Sequence, residues 1–299
     1  MPMDTIIKQS AFSGPQLEND DETLADSGFY WRERGSVKVL VCQPLEDAGF
    51  VNGFSTRLGG VSPFPENDLN LAGFDEDSSE NIYENRRRFM AAFDGEYNLA
   101  TAWQVHGDSI RVVRSDGDIQ NSAERADALV SEWEHVLIGV KTADCVPMLI
   151  GDPENKAFAA VHAGWRGTAK RIAQKAVSKM TEMSGSAPRD LVCAIGPAAG
   201  RKNYEVGQDV IDLFIQNFPN AEKYFSPARR GHARIDLPMA NKDQLIESGV
   251  QAENIFTAPF CTMTRTDLFF SYRIEKKKYG RTGRLLSVIG RSDKIRPHL

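Results

Sequence analysis

Residues 142–167 read TADCVPMLIGDPENKAFAAVHAGWRG, two apolar runs separated by a polar segment. This pattern predicts a strand, a turn and a second strand. Cys145 precedes the first run and His162 ends the second, 162 − 145 = 17 residues later. Because thiolate and imidazole are ligands that zinc prefers, the unit predicts part of a metal site as well as a pair of strands.

A third candidate ligand, His106, follows another strand-like run in the sequence AWQVHG at residues 102–107. With Cys145 and His162 it would form a His/Cys/His set that leaves one coordination position open. A zinc site of this form is typical of catalysis. The spacings of 145 − 106 = 39 and 17 residues permit the three side chains to meet but do not require it.

Each of these residues also has a structural explanation. A free cysteine such as Cys145 is commonly a small buried hydrophobe, and His106 taken alone is typical of a structural histidine. Asp144 either orients a ligand histidine, acts as a general base or caps a turn. These alternatives stay open at the level of sequence.

The glycine-containing turn after His162 suggests a phosphate-binding element. A helix is predicted to begin at Thr168, and its first N–H groups could bind a phosphate together with the guanidinium of Arg166. The alternative is an ion pair between Arg166 and Asp144 or another carboxylate. The sequence does not separate the two.

Short, closely spaced strand patterns come before the helices, which favours hairpins and mixed or antiparallel sheets. The apolar positions of residues 172–180 fall on one helical face. The predicted fold class is α/β (α+β), with mixed β-sheets flanked by helices. The predicted strands are Val37–Cys42, Val51–Thr56, Ala100–Val105, Ile110–Val113, Ala128–Val130, Val136–Lys141, Met148–Gly151, Ala157–His162 and Leu191–Ile195, and the predicted helices are Ser79–Phe93, Thr168 to about Met183, Gly207–Asn217 and Pro238–Ser248.

Three segments are predicted along the chain. Residues 1–27 are polar, with an acidic cluster at residues 18–22, and we expect a mobile N-terminal arm there. No composition shift divides residues 28–291, which are predicted to form a single catalytic domain, and residues 292–299 are predicted to form a tail. The loop Ser55–Pro65 is long enough to line a site.

The composition argues against several classes of function. The 299 residues carry a net charge of −5 with a pI of about 5.7, so we expect neither nucleic acid nor a membrane as a partner. Four cysteines without a CxxC pair argue against a disulfide framework and a structural zinc ribbon. With neither a signal-peptide pattern nor a membrane-length apolar run in the sequence, we expect a cytoplasmic location.

A series of motifs follows one another from about residue 50 to 290. They are GFSTRLGGVS at 53–62, NL at 70–71, NR at 85–86, QVHG at 104–107, ADA at 126–128, TADCVP at 142–147, HAGWRG at 162–167, IGP at 195–197, YEVG at 204–207 and FFSYR at 269–273. This series resembles the YfiH family, whose members are also called laccase-domain or polyphenol-oxidase-like proteins.

The resemblance implies a single α/β domain and a zinc site at the three candidate ligands. It also implies purine nucleosides and phosphate as partners, with phosphorolysis of adenosine, inosine, guanosine or methylthioadenosine and hydrolytic deamination of adenosine. A monomer is the expected state. The predicted catalytic residues are His106, Cys145, His162 and Asp144, and the residues predicted to bind substrate or phosphate are Arg57, Asn70 and Arg166.

The sequence departs from the family pattern at two places. Phe74 stands where many relatives have a histidine, and Glu275–Tyr279 resembles an insertion. These departures concern nucleoside selectivity and leave the three candidate ligands in place.

Three other functions would use the same residues. A copper-dependent polyphenol oxidase fits two histidines and a cysteine, but the chain has only five histidines. The others, His135, His232 and His298, are too scattered for a multicopper cluster, so zinc is favoured over copper. A metal-free cysteine hydrolase would use Cys145 as its nucleophile. A non-catalytic protein would bind nucleosides without releasing the base.

Overall fold

A computed structural model describes residues 22–63, 67–73 and 77–291 of the chain. Its first sheet contains β1 (Phe29–Arg34), β2 (Val37–Cys42), β3 (Phe50–Ser55), β4 (Asn98–Ala100), β7 (Val136–Thr142) and β15 (Leu285–Arg291). Across the sheet the order is β1-β2-β3-β15-β7-β4. Neighbouring strands are antiparallel except β4, which runs parallel to β7.

The second sheet carries the candidate ligands. It contains β5 (Ile110–Val113), β6 (Ala128–Ser131), β8 (Val146–Gly151), β9 (Phe158–Ala163), β10 (Val192–Ile195) and β14 (Ile255–Thr257). The order is β14-β10-β8-β9-β6-β5, with parallel pairs at the two edges and antiparallel pairs between them. A small antiparallel sheet consists of β11 (Glu205–Gly207), β13 (His232–Ile235) and β12 (Phe225–Pro227).

Helices cover the outer faces of the two larger sheets. Within the described ranges, none of them combines the length and apolar character needed to cross a membrane. The helices are α1 (Gln43–Asp47), α2 (Ser79–Met90), α3 (Asp116–Gln120), α4 (Trp165–Ala169), α5 (Ile172–Ser184), α6 (Gln208–Asn217), α7 (Leu237–Glu247) and α8 (Tyr272–Tyr279), with short 3-10 turns at Pro188–Asp190, Ala221–Tyr224 and Ala252–Asn254.

The two larger sheets pack face to face, and helices cover them on both sides. Leu149 of β8 lies in the core between the sheets, whereas its neighbours Met148 and Ile150 lie in the core beneath α5 and α7. On the far side, Phe89 of α2 packs against the outer face of the first sheet. Because successive strand residues point to opposite faces, a strand between two cores must be apolar throughout, as β8 is.

The predicted fold class is confirmed by this arrangement of mixed sheets between helices. Strands Val37–Cys42 and Ile110–Val113 have the predicted bounds, but the predicted strand Ala100–Val105 is wrong because β4 ends at Ala100. Beyond that point the Gln104 side chain takes the place of a paired strand. Its amide donates to the carbonyl of Lys141 at 2.7 Å and accepts the N–H of Lys141 at 2.7 Å.

The prediction of one helix from Thr168 to about Met183 is also wrong at its start. Arg171 has a φ of 62°, in the left-handed region, and this divides the segment into α4 and α5. The guanidinium of Arg171 binds Glu247 and lies over the Phe218 ring, which offsets a backbone cost of about 1–3 kcal/mol. Thr168 lies inside α4, and its N–H donates to the carbonyl of Gly164 instead of being free for phosphate.

Packing begins before the end of the predicted N-terminal arm. Residues 1–21 and the predicted tail at 292–299 lie outside the described residues, as does Phe74. Residues 22–26 are helical, and Leu24 is buried in the core between the sheets. The chain then enters β1, which the sequence patterns did not indicate. The single-domain interpretation of residues 28–291 stays a prediction.

Candidate metal centre

The three candidate ligands meet at one edge of the second sheet. One atom each of His106, Cys145 and His162 lies within 4.8 Å of the other two. The ring centroids of the two histidines are 4.9 Å apart, with the rings at 78° to each other. The convergence that the sequence spacings permitted is present in the structure.

The register of the β8–β9 hairpin brings Cys145 close to His162. Pro147 pairs with His162 and Val146 pairs with Ala163. Cys145 immediately precedes β8, so it lies at the edge where β9 ends. An antiparallel pair returns the chain to its starting edge, which makes a separation of 17 residues in sequence a short distance in space.

His106 reaches the same edge on the loop before β5. Its φ of 56° is unusual for a residue other than glycine, so the loop needs a partner that holds this conformation. The buried carboxylate of Asp127 supplies it. The N–H groups of Val105, His106 and Gly107 all donate to this carboxylate, at 3.2, 2.9 and 2.6 Å.

Asp127 also fixes the second histidine. Its Oδ1 is 2.8 Å from Nδ1 of His162, and its carbonyl oxygen accepts the His162 N–H at 2.7 Å. Because a carboxylate only accepts, Nδ1 of His162 carries the proton, and Nε2 is left as the ligand atom. Burial opposes ionisation of Asp127, but the hydrogen bond and charge of His162, with the backbone donors, hold its pKa below the usual value.

The sequence analysis quoted Asp127 within the ADA motif but gave it no role. The sequence feature that could have indicated a role for Asp127 is its position directly before the apolar run ALV of β6. A charged group at such a position is expected to be buried, and a buried carboxylate requires several donors.

Cys145 and His162 form a charged pair in the absence of metal. Burial raises the pKa of Cys145, but the charge of His162 and hydrogen bonds from both histidines outweigh it and lower the pKa to about 6. Burial correspondingly lowers the pKa of His162, whereas the thiolate and Asp127 raise it to about 9. The two shifts favour a Cys145 thiolate beside a His162 imidazolium in metal-free protein.

The glycines of the HAGWRG motif allow close packing around the centre. A Cβ on Gly164 would lie 3.0 Å from Cδ2 of His106 and 3.1 Å from the sulfur of Cys145. A Cβ on Gly167 would lie 2.9 Å from the carbonyl oxygen of Gly107. Larger side chains at these positions would push apart the segments that carry the three candidate ligands.

Asp144 lies beside Cys145 but contacts other parts of the chain. Its Oδ1 accepts the Thr262 hydroxyl at 2.7 Å, and its Oδ2 accepts the N–H of Arg273 at 2.7 Å. Burial raises the pKa of Asp144. The carboxylate that contacts the ring of His162 is that of Asp127, and orientation of a ligand histidine by Asp144 stays a prediction. Its role as a general base stays a prediction.

Arg57 belongs to a buried ion network. Its guanidinium makes two bonds to Asp68, at 2.9 and 2.8 Å, and one to Glu275 at 2.7 Å. It also donates to the carbonyl of Thr266 at 2.8 Å. These partners engage N–H donors of the guanidinium, and the predicted phosphate role of Arg57 stays a prediction.

Asn70 is likewise used within the fold. Its side-chain oxygen accepts the N–H groups of Ala72 and Arg284, at 3.2 and 2.9 Å. These bonds tie the segment after the Ser55–Pro65 loop to the chain that leads into β15. Asn70 therefore attaches the loop, and its substrate role stays a prediction.

Arg166 is the exposed member of the predicted phosphate set. Its guanidinium lies 4.0 Å from the centroid of the Trp165 ring. Among the described residues it has neither Asp144 nor another carboxylate at ion-pairing distance, so the alternative of an ion pair is not borne out. Phosphate binding by Arg166 stays a prediction.

Comparison with known proteins identifies the family. A family model described as "Multi-copper polyphenol oxidoreductase laccase" matches residues 51–292. The chain belongs to this family, the YfiH or laccase-domain family. The structure of YlmD from Geobacillus stearothermophilus is similar, with a TM-score of 0.80 and 32% identity, covering 88% of this chain and 99% of that chain.

Two curated relatives in the YfiH family are named as enzymes. Purine nucleoside phosphorylase from Deinococcus radiodurans is 36% identical over 238 residues, which cover 79% of this chain and 87% of that protein. Purine nucleoside phosphorylase YfiH from Escherichia coli (strain K12) is 34% identical over 255 residues, which cover 84% of this chain and 98% of that protein.

The multicopper description of the YfiH family has no matching histidine cluster in the described part of this chain. There, His106, Cys145 and His162 form the one metal-type group of His, Cys, Asp or Glu residues. His135 precedes β7 at the end away from Cys145, and His232 on β13 lies 2.9 Å from an Arg229 nitrogen. The donor set fits a single ion held by two imidazoles and a thiolate.

The Arg57 network predicts a large loss of stability on substitution. The change Arg57→Met should lower the free energy of unfolding by about 3–5 kcal/mol, because it leaves Asp68 and Glu275 buried without a cation. Urea denaturation followed by circular dichroism measures this. The control is Arg87→Met, which removes an exposed pair with Glu84 and should leave the midpoint unchanged. Equal midpoints for the two variants would contradict the assignment.

The lowered pKa of Cys145 predicts how its alkylation depends on pH. In metal-stripped protein carrying Cys261→Ser, the iodoacetamide rate at Cys145 should rise through about pH 6 and level off by neutrality, since the thiolate reacts. Peptide mass spectrometry gives the rate at each cysteine. Cys42 and Cys193 are internal controls, because burial raises the pKa of both. A midpoint near that of free cysteine, about 8.5, would disprove the thiolate–imidazolium pair.

Proposed function

We propose that this chain is a purine nucleoside phosphorylase that holds one Zn²⁺ through His106, Cys145 and His162. The observation that carries the proposal is the approach of their ligand atoms to within 4.8 Å of one another. The names of the two enzyme relatives support the substrate class. Purine nucleosides and phosphate are the proposed substrates.

The donor set suits zinc and leaves one position open for chemistry. Two imidazoles and a thiolate are ligands of catalytic zinc sites. When bound, zinc would supply Lewis acidity that polarises a substrate oxygen or lowers the pKa of water toward neutrality. Copper is the alternative metal for the same donors, and metal analysis of the purified protein separates the two.

In phosphorolysis, a phosphate oxygen forms a bond to C1′ of the ribose and the bond from C1′ to the purine nitrogen breaks. The bonding electron pair leaves with the purine, which takes up a proton. Asp127 keeps Nδ1 of His162 protonated and so presents Nε2 to the centre. Arg166 is the proposed phosphate ligand from the HAGWRG segment, since its guanidinium has no carboxylate partner among the described residues.

The open position also favours a second reaction at the same centre. We infer that adenosine is deaminated there, with water adding to C6 and ammonia leaving to give inosine. The competing proposal is a metal-free cysteine hydrolase, which the thiolate–imidazolium pair of Cys145 and His162 would suit.

We also infer a cytoplasmic location. All four cysteines are free, as is usual in a reducing compartment, and the acidic net charge of −5 offers no field for nucleic acids. The monomeric state stays a prediction.

The decisive experiment is incubation of the purified protein with adenosine or inosine, with and without phosphate. We expect about one zinc per chain, phosphate-dependent release of adenine or hypoxanthine, and conversion of adenosine to inosine. His162→Ala and Cys145→Ala should lower kcat/KM by about a thousandfold or more and lose zinc, whereas Cys261→Ser should retain both.

The possible products distinguish the alternatives. Full activity without metal, lost on alkylation of Cys145, would favour the cysteine hydrolase. Nucleoside binding without release of any base, at any phosphate concentration, would contradict the enzyme assignment.

Gly164 predicts a test of the zinc site that does not depend on activity. Gly164→Ala should weaken zinc binding by roughly tenfold, because the new Cβ would displace His106 and Cys145 by a few tenths of an ångström. Competition with a chromophoric chelator measures the affinity. The matched control is Gly117→Ala, whose nearest new contact is 3.6 Å from the Ser115 hydroxyl. Equal zinc affinity in the two variants would exclude the proposed packing role.

A further inference from the structure

A cavity of about 280 Å³ lies beside the candidate metal centre. Its walls include Trp165, Tyr204, Glu205, Arg229, His232 and Arg273. Trp165 directly follows Gly164, which packs against His106 and Cys145. On the other wall, the backbone N–H of Arg273 donates at 2.7 Å to Asp144, the residue directly before Cys145. The cavity is large enough for a phosphate with a ribose.

Two arginines lie over aromatic rings that line this cavity. Arg273 lines the cavity itself, whereas Arg166 adjoins it through the Trp165 ring. The guanidinium of Arg166 lies 4.0 Å from the centroid of the Trp165 ring, and that of Arg273 lies 4.9 Å from the centroid of the Tyr204 ring. Both rings line the cavity. Stacking engages the face of a guanidinium and leaves its N–H donors, which lie in the plane, able to bind an anion.

Neither arginine has a carboxylate at ion-pairing distance in the part of the chain that the structure describes. Arg273 donates from Nη1 to the carbonyl oxygen of Glu205 at 2.9 Å, and its side chain also hydrogen-bonds that of Tyr204. The nearby carboxylate oxygens of Asp144 already accept Thr262 and the N–H of Arg273. Among the described residues neither guanidinium is therefore held in a salt bridge, although the charge of Arg273 acts on Asp144.

The other charged groups of the cavity are arranged differently. Arg229 is paired with the Glu205 carboxylate at 2.7 Å, so these two charges cancel. His232 lies against Arg229, and Asp209 is on the rim that continues into α6. Arg166 and Arg273 thus carry the positive charge that no salt bridge holds, while Asp209 adds one carboxylate to the cavity wall.

We propose that Arg166 and Arg273 form the subsite for the phosphate co-substrate, in the cavity between Trp165 and Tyr204. The inference rests on the proposed function for its reaction but on these contacts for its location. A phosphate dianion would receive donors from two planar guanidinium groups, the side chain best suited to bind phosphate oxygens in pairs. Arg273 is the residue that the sequence analysis did not consider.

Asp144 fixes the position of the proposed phosphate subsite relative to the candidate metal centre. It precedes Cys145 in the chain, and it holds the backbone N–H of Arg273 at the start of α8. One buried carboxylate therefore joins the turn that carries a candidate ligand to the helix that carries a phosphate ligand. Asp144 acts in this scheme as a positioning residue.

The test measures inorganic phosphate directly and in turnover, with the zinc-loaded protein. Arg273→Gln and Arg166→Gln should each weaken calorimetric phosphate binding and raise the KM for phosphate by about tenfold to a hundredfold. The KM for inosine should change less than about threefold, and Arg273→Lys should lose less than Arg273→Gln because it keeps the charge but not the fork.

The matched control is Arg201→Gln. Arg201 is also exposed and also donates to a carbonyl oxygen, that of Phe225 at 3.1 Å, but it does not line the cavity and, unlike Arg166, does not lie over a ring that lines it. Its phosphate affinity and both KM values should equal those of the unsubstituted protein. Unchanged phosphate binding in both the Arg273→Gln and Arg166→Gln variants would overturn the subsite.

Two further outcomes separate this proposal from the proposed function. Arginine-dependent phosphate binding without release of any base would support the subsite and contradict the phosphorylase assignment. Adenosine 5′-monophosphate is the second ligand, compared with adenosine. If the arginine substitutions weaken binding of this nucleotide but not of inorganic phosphate, the site recognises a nucleotide phosphate, and the co-substrate assignment is wrong.

Discussion

The candidate centre depends on one buried carboxylate, that of Asp127. It accepts three consecutive backbone N–H groups of the His106 loop and the Nδ1 proton of His162. A carboxylate is stable in a protein interior only when donors replace its lost water, and here all of those donors come from segments that carry candidate ligands. The requirement to satisfy Asp127 therefore holds two histidines, from different parts of the chain, in fixed positions.

The sheet supplies the remaining constraint. Residue pairing places Ala128 of β6 beside Val161 of β9 and Pro147 of β8 beside His162, so the residues just before β6 and β8 lie at the edge where β9 ends. Cores on both faces of β8 and β9 resist any change of register, because a shift of one residue would exchange their two buried faces. The ligands consequently lie on a rigid edge, which favours a preformed metal site.

Local patterns predicted elements such as β2, β5 and α7, since strand and helix periodicities are local properties, but they missed β1 and β11–β15. They failed where a distant residue decides the conformation. The left-handed backbone of Arg171 is stabilised by Glu247 and Phe218, and no glycine marks the break. Similarly, the ten-residue motif containing Arg57 could not reveal Glu275, which is 218 residues away. The candidate ligands were predicted from residue type, but their contact with Asp127 required the register.

Arg57 and Arg273 illustrate how partners, not residue type, decide the role of an arginine. Arg57 forms salt bridges with two buried carboxylates, those of Asp68 and Glu275, and so holds together the segments that carry them. Arg273 lies over the Tyr204 ring and donates to a carbonyl oxygen, and no salt bridge holds it among the described residues, which is why we propose it as a phosphate ligand. Asp144 binds the Arg273 backbone N–H and makes no salt bridge with its side chain. Because Asp144 accepts the backbone N–H of Arg273, the turn before Cys145 positions the cavity wall without forming a salt bridge to the Arg273 guanidinium.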